Sequence, residues 1–276
     1  MIENSNLGKD NNIPRSEGEN IESKEKLEIV EIPKIVRGSF SDKPGEAGFI
    51  SFTTNPNFLS NKELHEKVSK LNLDLEIIAS RKVAIILRPV GNQIFLGITS
   101  PSYTRFQSVN RTYDQACITF ADIDNPSTGN IFSNSKMFGN YTKLERENDD
   151  KKIRNAENIS NEIELREPVK IPEKLISTLQ EYLQKEQKLL IENNEEITLE
   201  GNQILDYAPV RTLLCLYDKL NPELKKEYSV YFGLPESLYT KSASKVIFSL
   251  KPLTEQQKEF TQILGYSVLK WDDLIK

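Results

Sequence analysis

Apolar positions along this 276-residue chain follow one rhythm in its first half and another in its second. Gly48-Phe-Ile-Ser-Phe-Thr-Thr54 is aromatic and β-branched and is closed by Asn55-Pro56, which predicts a strand ending in a turn. Lys82 to Arg88 and Gln93 to Thr99 are apolar runs flanking Pro89-Val90-Gly91-Asn92, a predicted hairpin, and Ala116 to Asp122 is a further short strand. Between the first two lies Asn61 to about Asn72, where Leu64, Val68 and Leu71 recur at helical spacing. Lys143 to Lys170 is highly charged, with eight acids against seven bases, yet Glu162-Ile163-Glu164-Leu165-Arg166 alternates as a half-exposed strand does.

After Pro172 the spacing lengthens. Leu175, Leu179, Leu183, Leu189 and Leu190 predict a helix from Pro172 to about Glu192, with proline in its first turn. Pro209 to Leu220 and Pro222 to Phe232 read as two more helices. Thr254-Glu-Gln-Gln257 has capping-box form before a last helix that stops at Gly265. The expectation is an α+β fold, a mixed or antiparallel strand-rich domain over 34–172 followed by a helical C-terminal module over 173–276. Residues 1–33, with eight acids, five asparagines and almost nothing able to form a core, read as a disordered tail.

Composition narrows the chemistry. The charge is 36 − 41 = −5 with no long basic stripe, which argues against a sequence-independent grip on nucleic acid phosphates. No run of about 18 apolar residues spans a bilayer, and the N-terminus lacks the form of a secretory signal. The expected location is cytoplasmic, or secreted without a conventional signal peptide. Cys117 and Cys215 lie inside apolar runs, where a thiol behaves as a small buried hydrophobe, and two cysteines with one histidine exclude a Cys/His zinc site by count. His65 is the sole imidazole and sits in a surface-type helix, so imidazole catalysis has little material to work with.

What remains is arginine, hydroxyls and carboxylates. Arg37-Gly38 ends a short apolar run; an arginine fork there can bind a pyrophosphate bidentately, and the glycine permits close backbone approach. Ser51, Phe52, Thr53 and Thr54 present hydroxyls from an apolar strand. Glu162 and Glu164 share one strand face, about 7 Å apart, suited to stabilising positive charge on a sugar carbon and activating a nucleophile. Each motif also has a plain reading as a solvated strand end, a β-propensity run or an exposed charged strand.

In that order the three elements resemble the ADP-ribosyltransferase superfamily over about residues 35–172. The resemblance implies NAD as substrate, with Arg37 on its phosphates, the Gly38 backbone at the nicotinamide amide, and Ser51, Phe52, Thr53 and Thr54 supporting the nicotinamide ribose. It implies that Glu164 bonds the ribose 2′-hydroxyl and stabilises an oxocarbenium-like transition state, while Glu162 handles the acceptor. Ser-Phe-Thr-Thr replaces the family's Ser-Thr-Ser, and it follows Arg37 by only 14 residues. Ser133-Asn134-Ser135 suits the usual spacing better but lies in a loop-like segment. The functional expectation is a mono-ADP-ribosyltransferase-like effector or toxin acting on a protein or other macromolecule.

Two alternatives stand beside it. A non-catalytic interaction protein would present Tyr217, Tyr228, Tyr231, Phe232, Tyr239 and Trp271 to a partner, although the same aromatics suit a core. A magnesium-dependent nuclease would use Asp122 with Asp124, or Asp149 with Asp150.

Overall fold

A computed structural model describes residues 28–32, 34–39, 49–53, 62, 63, 66, 84–101, 114–134, 162–197, 201–233 and 244–276. Its main sheet has nine described strands: β2 (Lys34–Ser39), β3 (Phe49–Thr53), β4 (Ala84–Val90), β5 (Gln93–Pro101), β6 (Asp114–Asp122), β8 (Lys188–Glu192), β9 (Val230–Gly233), β10 (Val246–Ser249) and β11 (Tyr266–Lys270). Their order is β11-β8-β10-β9-β4-β5-β6-β2-β3. A separate two-stranded ribbon pairs β1 (Ile29–Glu31) with β7 (Glu162–Glu164).

The expected α+β class holds, with helices gathered toward the C-terminus. These are α1 (Thr128–Phe132), α2 (Glu173–Gln184), α3 (Ala208–Leu216), α4 (Pro222–Glu227), α5 (Glu255–Ile263) and α6 (Trp271–Ile275). Segment 173–276 is not helical throughout, however: it also supplies β8, β9, β10 and β11, which pair in parallel. The antiparallel pairing of β9 with β4, Tyr231 opposite Ile86, joins them to the antiparallel half built from residues 34–122. Strands buried on both faces carry unbroken apolar runs, so they lack the alternation that marks a half-exposed strand. Hence Leu189 and Leu190, expected at the end of a helix, lie in β8. Helix α2 ends at Gln184, and Glu186 turns the chain with φ 54°. Tyr231 and Phe232 likewise leave the expected helix for β9.

Other expectations survive in detail. The hairpin closes at Gly91, φ 64°, and Asn92, with Val90 opposite Gln93. Pro89 is tolerated inside the sheet because β4's pairing with β9 ends at Leu87, before the missing N–H. Thr254 and Gln257 form the reciprocal capping box of α5, which Gly265 terminates at φ 83°. Residues 29–31, assigned to the tail, form a strand instead. Of the helix expected over 61–72, Lys62, Glu63 and Glu66 are helical, and His65 lies outside the described residues.

Period-two alternation divides the core between the two faces of the sheet. One face gathers Ile85, Leu87, Leu96, Leu189, Phe232 and Phe248 under Leu175 and Leu179 of α2, Leu213 of α3 and Trp271 of α6. The other gathers Ile86, Phe95, Ile118, Leu190, Tyr231 and Ile247, with Leu253 and Tyr266. Tyr217, Tyr228, Tyr231 and Phe232 are at most 1% exposed and Trp271 is 7% exposed, so these five aromatics are core and not a docking face. Tyr239 lies outside the described residues. Cys215 is buried as expected, its thiol donating to Ser133 Oγ at 3.2 Å. Among the described residues no helix is long and apolar enough to cross a membrane.

A half-buried carboxylate fixes α1. Asp218 accepts from the backbone N–H groups of Gly129 at 2.7 Å and Asn130 at 2.9 Å, two donors of the first turn that have no partner within the helix. Burial raises its carboxyl above the ordinary 3.8, against the lowering effect of those two bonds. The folded state therefore holds this proton more tightly than the unfolded chain does. Its contribution to stability is full below pH 3.8 and is lost as pH rises through the raised folded value. Asp218→Asn is expected to remove that loss, and urea melts of both proteins across a pH series measure it. Parallel stability curves would show that this carboxyl is not its source.

Candidate functional site

The sheet ladders bring together sequence elements that lie far apart. In the β2/β3 ladder Arg37 stands opposite Ser51, Gly38 opposite Ile50, Val36 opposite Phe52 and Ile35 opposite Thr53. The other edge of β2 pairs with β6, where Arg37 is opposite Ala116 and Lys34 opposite Thr119. These are backbone positions; the side chains of β2 and β3, and Thr54 as a whole, lie outside the described residues. The β-branched and aromatic character of Ile35-Val36 and Phe49-Ile50-Ser51-Phe52-Thr53 suits them to such a ladder.

The carboxylate strand docks elsewhere. Within the ribbon Glu162 is opposite Glu31, Ile163 opposite Val30 and Glu164 opposite Ile29. Ile163 is 1% exposed and faces the core, so period two turns Glu162 and Glu164 together toward solvent. Two hydrogen bonds hold this strand at its end: Leu165 N–H donates to Glu28 O at 2.8 Å, and the Asn134 side-chain amide donates to Glu164 O at 2.6 Å. Asn134 and Ser133 are fully buried. Two members of the Ser-Asn-Ser segment, which looked like loop, thus have structural work: Ser133 receives the Cys215 thiol and Asn134 anchors the carboxylate strand. Ser135 lies outside the described residues.

Strand β1 precedes β2 in the chain by two residues, so the Glu31/Glu162 pair lies six residues of sequence from Arg37. At the extended rise per residue that is at most roughly 20 Å of chain. Beside β1 and the end of β6 lies a cleft of about 410 Å³. Val30, Glu31, Ile32, Phe120, Asp122 and Ile131 are among its walls. This volume falls within the usual range for small-molecule sites, and the lining has their usual character, apolar surface with a few polar groups. Glu31 was invisible as a site residue because it was grouped with the acidic tail. The apolar cluster Ile29, Val30 and Ile32 around it, at the end of an otherwise polar segment, is the signal that could have marked it.

Asp122 lines the cleft, and Asp124 lies exposed in the turn that follows β6. Among the described residues no three His, Cys, Asp or Glu side chains are grouped to hold a metal ion. Asp149 and Asp150 lie outside the described residues. The cleft therefore offers carboxylates for hydrogen bonding and charge stabilisation. No protein-family model matches the chain, and neither a curated protein nor a solved structure matches it.

Proposed function

We propose that the chain is an NAD-dependent mono-ADP-ribosyltransferase-like enzyme, an effector or toxin that modifies a protein or other macromolecular acceptor. What supports this reading above all is the strand register. Arg37 is opposite Ser51, and the strand bearing Glu162 and Glu164 pairs with β1, which precedes the Arg37 strand in the chain. Arg37 and the hydroxyl strand share a ladder of the main sheet, and Glu162 and Glu164 lie on a separate ribbon whose other strand precedes β2 in the chain and lines the cleft through Val30 and Glu31.

In the proposed reaction the bond between nicotinamide and the ribose C1′ breaks, its electron pair leaving with nicotinamide. Positive charge develops on the ribose, and the Glu164 carboxylate stabilises it at fixed position. An acceptor nucleophile then bonds to C1′ and passes its proton to Glu162. Arg37 holds the pyrophosphate bidentately, with the Gly38 backbone at the nicotinamide amide and the hydroxyls at 51, 53 and 54 bracing the ribose. Glycosyl transfer of this kind needs neither imidazole nor thiolate, which suits a chain with one histidine and a buried Cys215.

The purified protein incubated with labelled NAD and host lysate is expected to transfer label to macromolecules and to release nicotinamide. Glu164→Gln is expected to lower both by about 10²- to 10³-fold, the usual cost of removing one transition-state charge contact. The Glu164 residue is exposed, so the variant should keep its fold, which circular dichroism checks. Absence of label transfer and of nicotinamide release, beside a working control enzyme, would sink the assignment.

A further inference from the structure

Strand β7 has two backbone edges, and β1 covers one of them. In an extended chain successive residues turn their N–H and C=O groups to opposite edges. Leu165 turns toward β1, where its N–H donates to Glu28 O at 2.8 Å. The carbonyl of Glu164 therefore opens on the other edge, where no described strand pairs with it. Side chains take the place of a third strand there. Asn134 donates its amide to Glu164 O at 2.6 Å, and Asn130 donates its amide to Arg166 O at 3.0 Å.

The two spacings match. Four residues of helix advance about 6 Å and two residues of strand about 7 Å, so amides one turn apart reach alternate carbonyls of one strand. The chain is still wound at Asn134, two residues past α1, because its N–H donates to Ile131 O at 3.2 Å. Helix α1 is itself fastened at both ends. Asp218 accepts from the Gly129 and Asn130 N–H groups at its start, and the Cys215 thiol donates to Ser133 Oγ at its finish. Arg211 of α3 reaches the same stretch of backbone directly, donating to Glu167 O at 2.7 Å. The Glu164 side chain is exposed, so its own packing does not place it. Its backbone does.

From this arrangement we propose that Asn134 and Asn130 are positioning residues, a clamp that sets the backbone from which Glu164 and Glu162 act. The inference rests on the transferase reading given above. In that reading Arg37 of the main sheet holds the NAD phosphates, and the ribbon supplies the carboxylates. Loosening the clamp thus displaces the stabilising charge and leaves nucleotide binding in place. Misplacement of a reacting group by about 1 Å can cost up to about 100-fold in rate.

Two variants of the full chain test this. Asn134→Leu removes the donor from a fully buried site. Asn130→Ala is the milder change: the residue is half-buried, and its Oδ1 has no partner to lose. Both are expected to speed amide exchange at Leu165 while exchange in the β4–β5 hairpin stays as it is. Both are expected to lower kcat for nicotinamide release, Asn134→Leu by about 10- to 100-fold, with the KM for NAD within about twofold of the parent. Unchanged exchange at Leu165 in both variants overturns the clamp. Faster exchange with kcat unchanged overturns the positioning role. A parent protein that releases no nicotinamide, while its variants lose protection at Leu165, overturns the transferase reading and supports the clamp.

Discussion

Replacing Phe248 by alanine is expected to destabilise the protein by about 3 to 5 kcal/mol, among the largest effects of any single substitution in it. Phe248 is fully buried in β10, with Ile191 of β8 opposite on one side and Phe232 of β9 on the other. Its ring packs edge-on to Trp271 at 5.7 Å and lies 6.0 Å from Phe232. The substitution removes the transfer energy of the ring and leaves a void between a sheet and a helix that cannot both close over it. Strand β10 is pinned by ladders on both sides, and Trp271 is tied to the end of β11 by the chain. Whole-domain stabilities run only about 5 to 15 kcal/mol, so much of the chain would unfold at modest denaturant. Urea unfolding followed by Trp271 fluorescence measures the change; a loss below about 1 kcal/mol would show that the site collapses freely.

Gly129→Ala tests a different kind of constraint. A Cβ at this position would lie 2.4 Å from Leu214 O and 3.0 Å from Cys215 Cα, both backbone atoms of α3. No side-chain rotation relieves that overlap, so α1 must move away from α3. In moving it loosens the two hydrogen bonds from Gly129 and Asn130 to Asp218. Overpacking of this sort costs about 1 to 3 kcal/mol, and each buried polar group left without its partner adds about 1 to 3 more. Gly265→Ala is the matched control. At φ 83° it strains the backbone by roughly 1 to 2 kcal/mol but meets nothing within 4 Å. The expected order, Gly129→Ala well above Gly265→Ala, would be reversed if backbone conformation and not close approach governed these glycines.

Legibility from the sequence followed how local each feature is. The β4–β5 hairpin, the capping box at Thr254 and the stop at Gly265 are settled within a few residues by turn and cap chemistry, and they stand where expected. Leu189-Leu190-Ile191 and Val230-Tyr231-Phe232 are short apolar runs that fit a buried helix face as well as a buried strand. Only their strand partners decided them, parallel on both sides for β8 and, for β9, parallel on one side and antiparallel on the other. Of the candidate site, the residue types were legible: Arg37, the hydroxyl strand and the alternating Glu162 and Glu164. Which strands would carry them side by side was not, because β-pairing joins residues at any separation and leaves no local mark. Glu31 and Asn134 were missed for the same reason, since each matters only through β7, more than a hundred residues from one and about thirty from the other.

The sequence by itself determined the α+β class, the turn and cap points, and the stock of arginine, hydroxyl and carboxylate groups on offer. Tertiary structure alone decided that four strands of the helix-rich half complete the sheet begun by the other half. It also decided that Glu162 faces Glu31 across a ribbon whose β1 precedes the Arg37 strand in the chain. The physical reason is common to both: helical caps and turns are fixed by hydrogen bonds within a few residues, whereas a sheet is fixed by whichever distant strand meets each backbone edge.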